Sequence, residues 1–212
     1  MMKNLEFNTK TSPGKNKSNE DYILCRRFAE NFFIAILADG MGGLSYGAEA
    51  AKIASESILT VILDKIEECF PEDVLRFAFD AADSAIHEKC RDLKCKMGTA
   101  VTVALIIDDS LYYAWQGNVR LYKMTDRVLS RLTADHVLTG TEDVFLTRCV
   151  NGKGYRESVP VKHEKLKGGD KIYICSDGCY KQMDINRIAN QELKFIPNGI
   201  LEDDASMIEI KM

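Results

Sequence analysis

Two stretches of helical period, set among many of strand period, most narrow what this chain can fold into. Residues 44–66, LSYGAEAAKIASESILTVILDKI, carry apolar and small side chains at helical spacing, as a helix does when it packs closely on a sheet. A second such stretch, EDVLRFAFDAADSAIHEKCRDL, follows Pro71, a residue suited to a first helical turn. Around them lie β-rich runs: LEFNTK, DYILCRRFA and NFFIAILAD before, and GTAVTVALIID, SLYYAWQGNVRLYKM, RVLSRLT, ESVPVKHEKL, DKIYICSDG and ASMIEIKM after. Helices inserted into mostly antiparallel strands give an α+β layout in which the helices cover sheet faces. No repeat, low-complexity tract or linker interrupts the pattern, so residues 1–212 are expected to form one compact domain.

Composition removes several function classes. A formal charge of -4 without a basic stripe argues against a nucleic-acid binder. No apolar run approaches the roughly 20 residues that span a bilayer, and MMKNLEFNTK has no signal-type apolar region. Seven scattered cysteines without a C-x-x-C pair indicate neither a disulfide framework nor structural zinc, which fits a soluble protein of a reducing cytoplasm. Cys175, inside KIYICS, reads as a buried thiol rather than a nucleophile.

The acids are placed less evenly than the cysteines. Asp39 and Asp177 each end an apolar run and are each followed by glycine; Glu20 and Asp21 open a strand in SNED, and Asp203 and Asp204 precede the last strand in EDDAS. If the runs ending at Asp39 and Asp177 lie side by side, their carboxylates converge. Converging carboxylates repel unless protonated or neutralised, and with oxygen ligands and no His or Cys nearby the fitting neutraliser is Mg²⁺ or Mn²⁺. Two such ions suit hydrolysis of phosphate esters. The plain alternative for each Asp-Gly is a turn beside a helix start.

In order along the chain, NED, DGMGG, GTAVTVALI, GNVR, LTADH, GGDKIYICSDG and DDAS resemble the motifs of the metal-dependent type 2C serine/threonine protein phosphatases, from about residue 11 to the end. The resemblance implies a four-layer αββα sandwich: two antiparallel sheets flanked by helices, with a dinuclear Mn²⁺ or Mg²⁺ site in a cleft at one end. It further implies that Asp39 bridges the ions, that Gly40 offers its backbone carbonyl, and that Glu20 serves one ion while Asp177 and Asp203 serve the other. Asp21, Asp204 and Asn118 would stand behind these ligands. A metal-bridging hydroxide would attack phosphoserine or phosphothreonine, which makes the partners a phosphorylated protein and the opposing kinase pathway.

The chain departs from the family pattern in three places. Asn16 stands where the family has a phosphate-binding Arg, with Lys15 and Lys17 beside it; Lys17 is the expected replacement, supplying charge without the bidentate fork of an Arg. Asn118 in GNVR replaces the Asp of GDSR, which argues against a strong third metal site. The chain is short between His136 and Thr147, where relatives carry a flap, and between Asp177 and Asp203. A catalytically weak or inactive relative that binds phosphoproteins is the alternative function. His87, His136 and His163 show no mutual spacing and read as structural or surface groups, Met41 offers no proton, and Trp115, Tyr112 and Tyr113 read as core.

Overall fold

The run FFIAIL is apolar at every position because both of its faces are covered. In the computed structural model, which describes residues 5–15, 18–41, 46–138, 145–191, 195 and 201–212, it lies within β3 (Phe32–Gly40), after β1 (Glu6–Ser12) and β2 (Asp21–Ala29). Ile34, Ile36 and Ala38 join a core shared with the helices, whereas Phe33, Ala35 and Leu37 join a second core between two sheets. That split is the period of two expected of a strand.

The helices are α1 (Gly47–Lys65) and α2 (Pro71–Leu93). Small residues Ala50, Ala51 and Ala54 and fully buried Ile58 and Ile62 line the packed face of α1. Pro71 starts α2, and Lys94, at φ 50°, closes it in a left-handed cap. Each fully buried Ile of this kind contributes about 1.5–3 kcal/mol relative to exposure.

Then follow β4 (Thr99–Ile107), β5 (Ser110–Gln116), β6 (Arg120–Thr125), β7 (Val128–Arg131), β8 (Val137–Leu138), β9 (Phe145–Leu146), β10 (Val161–Lys165) and β11 (Lys171–Cys175). The chain closes with α3 (Asp177–Gln182), α4 (Ile185–Ala189) and β12 (Ala205–Lys211). One antiparallel sheet runs β10-β5-β4-β3-β2 and the other β1-β12-β11-β6-β7, each of five strands. α1 and α2 cover the first; Cys179, Ile185 and Ile188 of α3 and α4 pack on Tyr122, Tyr173 and Met207 of the second. The architecture is the expected αββα sandwich.

Two expectations need correction. β3 and β11, which end near Asp39 and Asp177, do not lie side by side; they belong to different sheets. Asp177 opens α3 rather than closing a strand. The polar stretch after His136 contributes a two-stranded ribbon, β8 with β9, that is too short to show a period. Trp115, Tyr113 and Cys175 are core residues, 3%, 2% and 0% exposed.

Candidate metal centre

The site sits at one end of the sandwich, where both sheets deliver acids. Asp21 and Asp39 are direct cross-strand partners of β2 and β3, so they share a face. By alternation from Phe33, Ala35 and Leu37, that face is the one turned toward the other sheet. From the other sheet, Ser176 follows β11 and Asp177 opens α3, while Asp203 and Asp204 precede β12. A cleft of 290 Å³ is lined by Asp39, Gly40, Asn118, Asp177, Lys181 and Asp203, with Met41, Ala100, Phe145 and Leu146 completing its walls.

Glycine makes the convergence possible at two positions. A Cβ on Gly40 would lie 2.4 Å from the carbonyl carbon of Gly47, and a Cβ on Gly178 would lie 2.1 Å from the carbonyl oxygen of Asp204. Only residues without side chains let these backbones meet. Gly40 N–H donates to the Glu20 carbonyl at 3.1 Å, and Met41 N–H to that of Gly98 at 3.0 Å, which fixes the backbone just after Asp39.

Electrostatically the acids act as one group. Burial first, then the charges of Asp21, Asp177 and Asp203, push the Asp39 carboxyl well above its ordinary range. Burial also raises Asp21, with Asp204 and Asp177 adding to it and bonds from Ser206 and Ser176 opposing. Burial followed by Asp204 and Asp203 raises Glu20; burial followed by Asp177 raises Asp203. Protonation or a cation would relieve this repulsion.

Around the acids, hydrogen bonds set orientation. Buried Asp204 accepts from Gly14 N–H and Glu20 N–H, both at 2.7 Å, tying the segment before β2 to that before β12. Ser176 Oγ–H donates to Asp21 Oδ2 at 2.9 Å, while Asp21 Oδ1 is buried without a partner. Asn118 Nδ2 donates to Asp177 Oδ2 at 2.9 Å, and Tyr180 Oη donates to the Asn118 carbonyl at 3.0 Å. Arg120 lies 3.5 Å over the Tyr180 ring and grips Asp135 through Nε and Nη2.

The donor set is all oxygen, strongly anionic and marked by one orphaned carboxylate oxygen, which is the chemistry that hard divalent ions match. Among the described residues, no three His, Cys, Asp or Glu side chains are gathered tightly enough to form a finished ligand cluster. Mutual repulsion explains such spacing, as does the hold of Asn118 and Lys181 on Asp177. Asp21, expected behind the ligands, stands directly against Asp39, whereas Glu20 faces Asp203, Asp204 and Gly47. Lys15 pairs with Glu202. Lys17 and Asn16 lie outside the described residues.

Sequence reading missed Lys181. It lies four residues after Asp177 and its Nζ donates to Asp177 Oδ2 at 2.7 Å. Once residues 177–182 are recognised as a helix, that spacing places the two on one face. Ser176 was missed as well, although its place beside Asp177 was the available signal.

Residues 12–203 match the family described as protein phosphatase 2C. The chain belongs to that family. It is 28% identical over 213 residues to a putative protein phosphatase 2C-type of Streptococcus pyogenes, covering 89% of this chain and 82% of that protein. Among solved structures, the serine/threonine phosphatase PstP/Ppp of Mycobacterium tuberculosis aligns with TM-score 0.82 at 19% identity, over 98% of each chain. The catalytic domain of PstP in complex with two manganese ions aligns with TM-score 0.78 at 20% identity, over 98% of this chain and 97% of that one. These structural likenesses show the protein phosphatase 2C fold; the family assignment rests on the match over residues 12–203.

Proposed function

We propose that the protein is a divalent-metal-dependent phosphatase of phosphoserine and phosphothreonine in proteins, acting with two Mn²⁺ or Mg²⁺ ions held by Glu20, Asp39, Gly40, Asp177 and Asp203. The observation that carries the reading is the convergence of Asp39 of β3 with Asp177, which opens α3 after β11 of the other sheet, and the Asp39 carboxyl driven upward by burial and then by its acidic neighbours. Bound ions of this kind neutralise the carboxylates and acidify water, which makes a nucleophile available near neutral pH.

The chain's own residues do the rest. Asp204 holds the Glu20 backbone, and Ser176 and Asn118 hold Asp21 and Asp177, so that the acids are oriented before any ligand arrives. Among the described residues, Lys181 is the cationic side chain lining the cleft; displaced from Asp177, it would meet an oxygen of the phosphate. Lys17 is the second candidate for that contact. No His lines the cleft among the described residues, so the departing serine or threonine oxygen would take its proton from water. The protein acts opposite the kinase that phosphorylates its substrate.

The Lys181–Asp177 pair also favours the second reading, a phosphoprotein-binding module whose site is neutralised from within. Hydrolysis of p-nitrophenyl phosphate and of a phosphothreonine peptide, with Mn²⁺, with Mg²⁺ and in excess EDTA, separates the two. Turnover that needs metal supports the enzyme; phosphopeptide binding without turnover under any metal supports the module.

A further inference from the structure

Beside the carboxylate cleft, and sharing Leu146 with it, lies a larger cavity of 640 Å³. Its wall is the irregular segment after β9, yet that segment is pinned. Buried Asp83 of α2 accepts from the N–H groups of Asn151, Gly152 and Gly154 at 3.1, 2.8 and 2.7 Å, and Tyr155 Oη donates to the Phe79 carbonyl at 2.9 Å. A loop anchored to a helix in this way forms a standing wall, as ligand sites require.

Two independent features point to what the cavity takes. Arg148, Lys153 and Arg156 line it against one acid, Glu157, and that acid pairs with Arg148. Lys153 and Arg156 are exposed. The second feature is Gln116 at the end of β5: it lines the cavity, is 1% exposed, and neither its Nε2 nor its Oε1 has a hydrogen-bond partner. A buried amide with donor and acceptor both unpaired is costly, and the same pair of groups matches a backbone peptide unit.

We propose that this cavity is a substrate subsite, which rests on the phosphatase reading above. It takes an anionic side chain, carboxylate or second phosphate, carried by the substrate chain a few residues from the phosphorylated one. Lys153 and Arg156 meet the anion, and Gln116 turns to pair with the peptide group that carries it. Under the phosphatase reading the acidic cleft would take the scissile phosphate through the ions it holds, and the basic cavity would take the flanking anion directly. The shared wall at Leu146 keeps that spacing to a few residues.

The test uses three phosphothreonine peptides that differ at one flanking position (Glu, phosphoserine or Gln), with p-nitrophenyl phosphate as a substrate lacking any flank. For the unaltered protein with Mn²⁺, kcat/KM should favour an anionic flank over Gln by about tenfold, the scale of one charged contact. Preference for phosphoserine alone identifies the anion as a second phosphate; preference for both identifies any acid. The double variant Lys153→Glu/Arg156→Glu should abolish the preference, chiefly through KM, and leave p-nitrophenyl phosphate unchanged. Gln116→Leu should raise KM for all three peptides alike, leaving p-nitrophenyl phosphate unchanged and the melting temperature no lower, since the amide it removes is unpaired.

Equal hydrolysis of the three peptides, or an equal loss on p-nitrophenyl phosphate, overturns the subsite. Should p-nitrophenyl phosphate not be hydrolysed at all, the phosphatase reading fails alone. Fluorescence anisotropy with the labelled Glu-flanked phosphopeptide then decides the cavity: binding lost in the double variant supports it, and absence of binding overturns it.

Discussion

Lys181 holds Asp177 across one turn of α3, its Nζ 2.7 Å from the Oδ2 that also accepts Asn118 Nδ2 at 2.9 Å. Two donors on one oxygen restrain a carboxylate that the proposed function assigns to a cation. Lys181→Ala should therefore raise Mn²⁺ affinity several-fold in calorimetric titration, because the ion no longer displaces an ammonium. The same variant should raise KM for a phosphopeptide if Lys181 meets phosphate. Stability should change by about 0.5 kcal/mol or less, as for other i,i+4 pairs at a surface. Unaltered metal affinity would show that the pair does not compete with the ion.

Asp39→Asn should remove metal-dependent hydrolysis by orders of magnitude while leaving the metal-free fold as stable or more so. The substitution deletes one charge from a group whose members raise one another. Urea unfolding in EDTA, run beside the kinetics, checks both halves. A large loss of stability would assign Asp39 a structural role instead.

Asp204→Ala should cost on the order of 2–3 kcal/mol, since the Gly14 and Glu20 N–H groups would lose a charged acceptor inside the protein. Asp204→Asn, with one acceptor oxygen left, should cost less. Equilibrium unfolding of the two variants tests the order.

His136 gives a pH dependence of definite sign. Its Nδ1 accepts from Gly117 N–H at 3.2 Å and its ring stacks on Trp115. Burial, then Arg148, lowers its pKa to about 4, with Asp135 and Glu157 opposing. Against an ordinary value of about 6.5, the unfolded chain binds the extra proton in that window. The contribution is fully present above about pH 6.5 and is lost as pH falls toward 4. After allowance for the partly exposed ring, it should be on the order of 1 kcal/mol. Burial and mutual repulsion also raise Glu20, Asp21, Asp39 and Asp203, so the measurement is the difference from His136→Asn, which keeps an acceptor for Gly117. Identical pH slopes in the two proteins would remove His136 from the account.

The strands and the two long helices were legible because their periods are long and undisturbed; FFIAIL and AAKIASESIL declare themselves over many residues. The candidate acids stood out for a related reason, each sitting where a periodic run starts or stops. Which sheet each strand joins was not, because pairing is set between residues as distant as Ser12 and Ala205. β8 and β9, at two residues each, are too short to show any period. Asp83 looks in sequence like any acid on a helix face, and only the fold reveals it as the acceptor that fixes Asn151, Gly152 and Gly154. Gln116 continues an apolar alternation and gives no local sign that its amide is unpaired.

Asp39 belongs to β3 of one sheet and Asp177 opens α3 after β11 of the other, so no ladder hydrogen bond sets the gap between them, although the Asp177 N–H does bond the Asp39 carboxyl. The layer of Phe33, Leu37, Leu121, Ile174 and Ile208 contributes by filling the space between the two sheets, acting as a shim that sets their separation. Under the proposed function, a methylene added or removed in that layer would retune how firmly the two acids grasp a common ion, without touching a proposed ligand. Metal selectivity would then be exposed to drift through the greasiest residues, and screening Leu37→Val or Ile174→Val for altered Mn²⁺ over Mg²⁺ preference would read the shim directly.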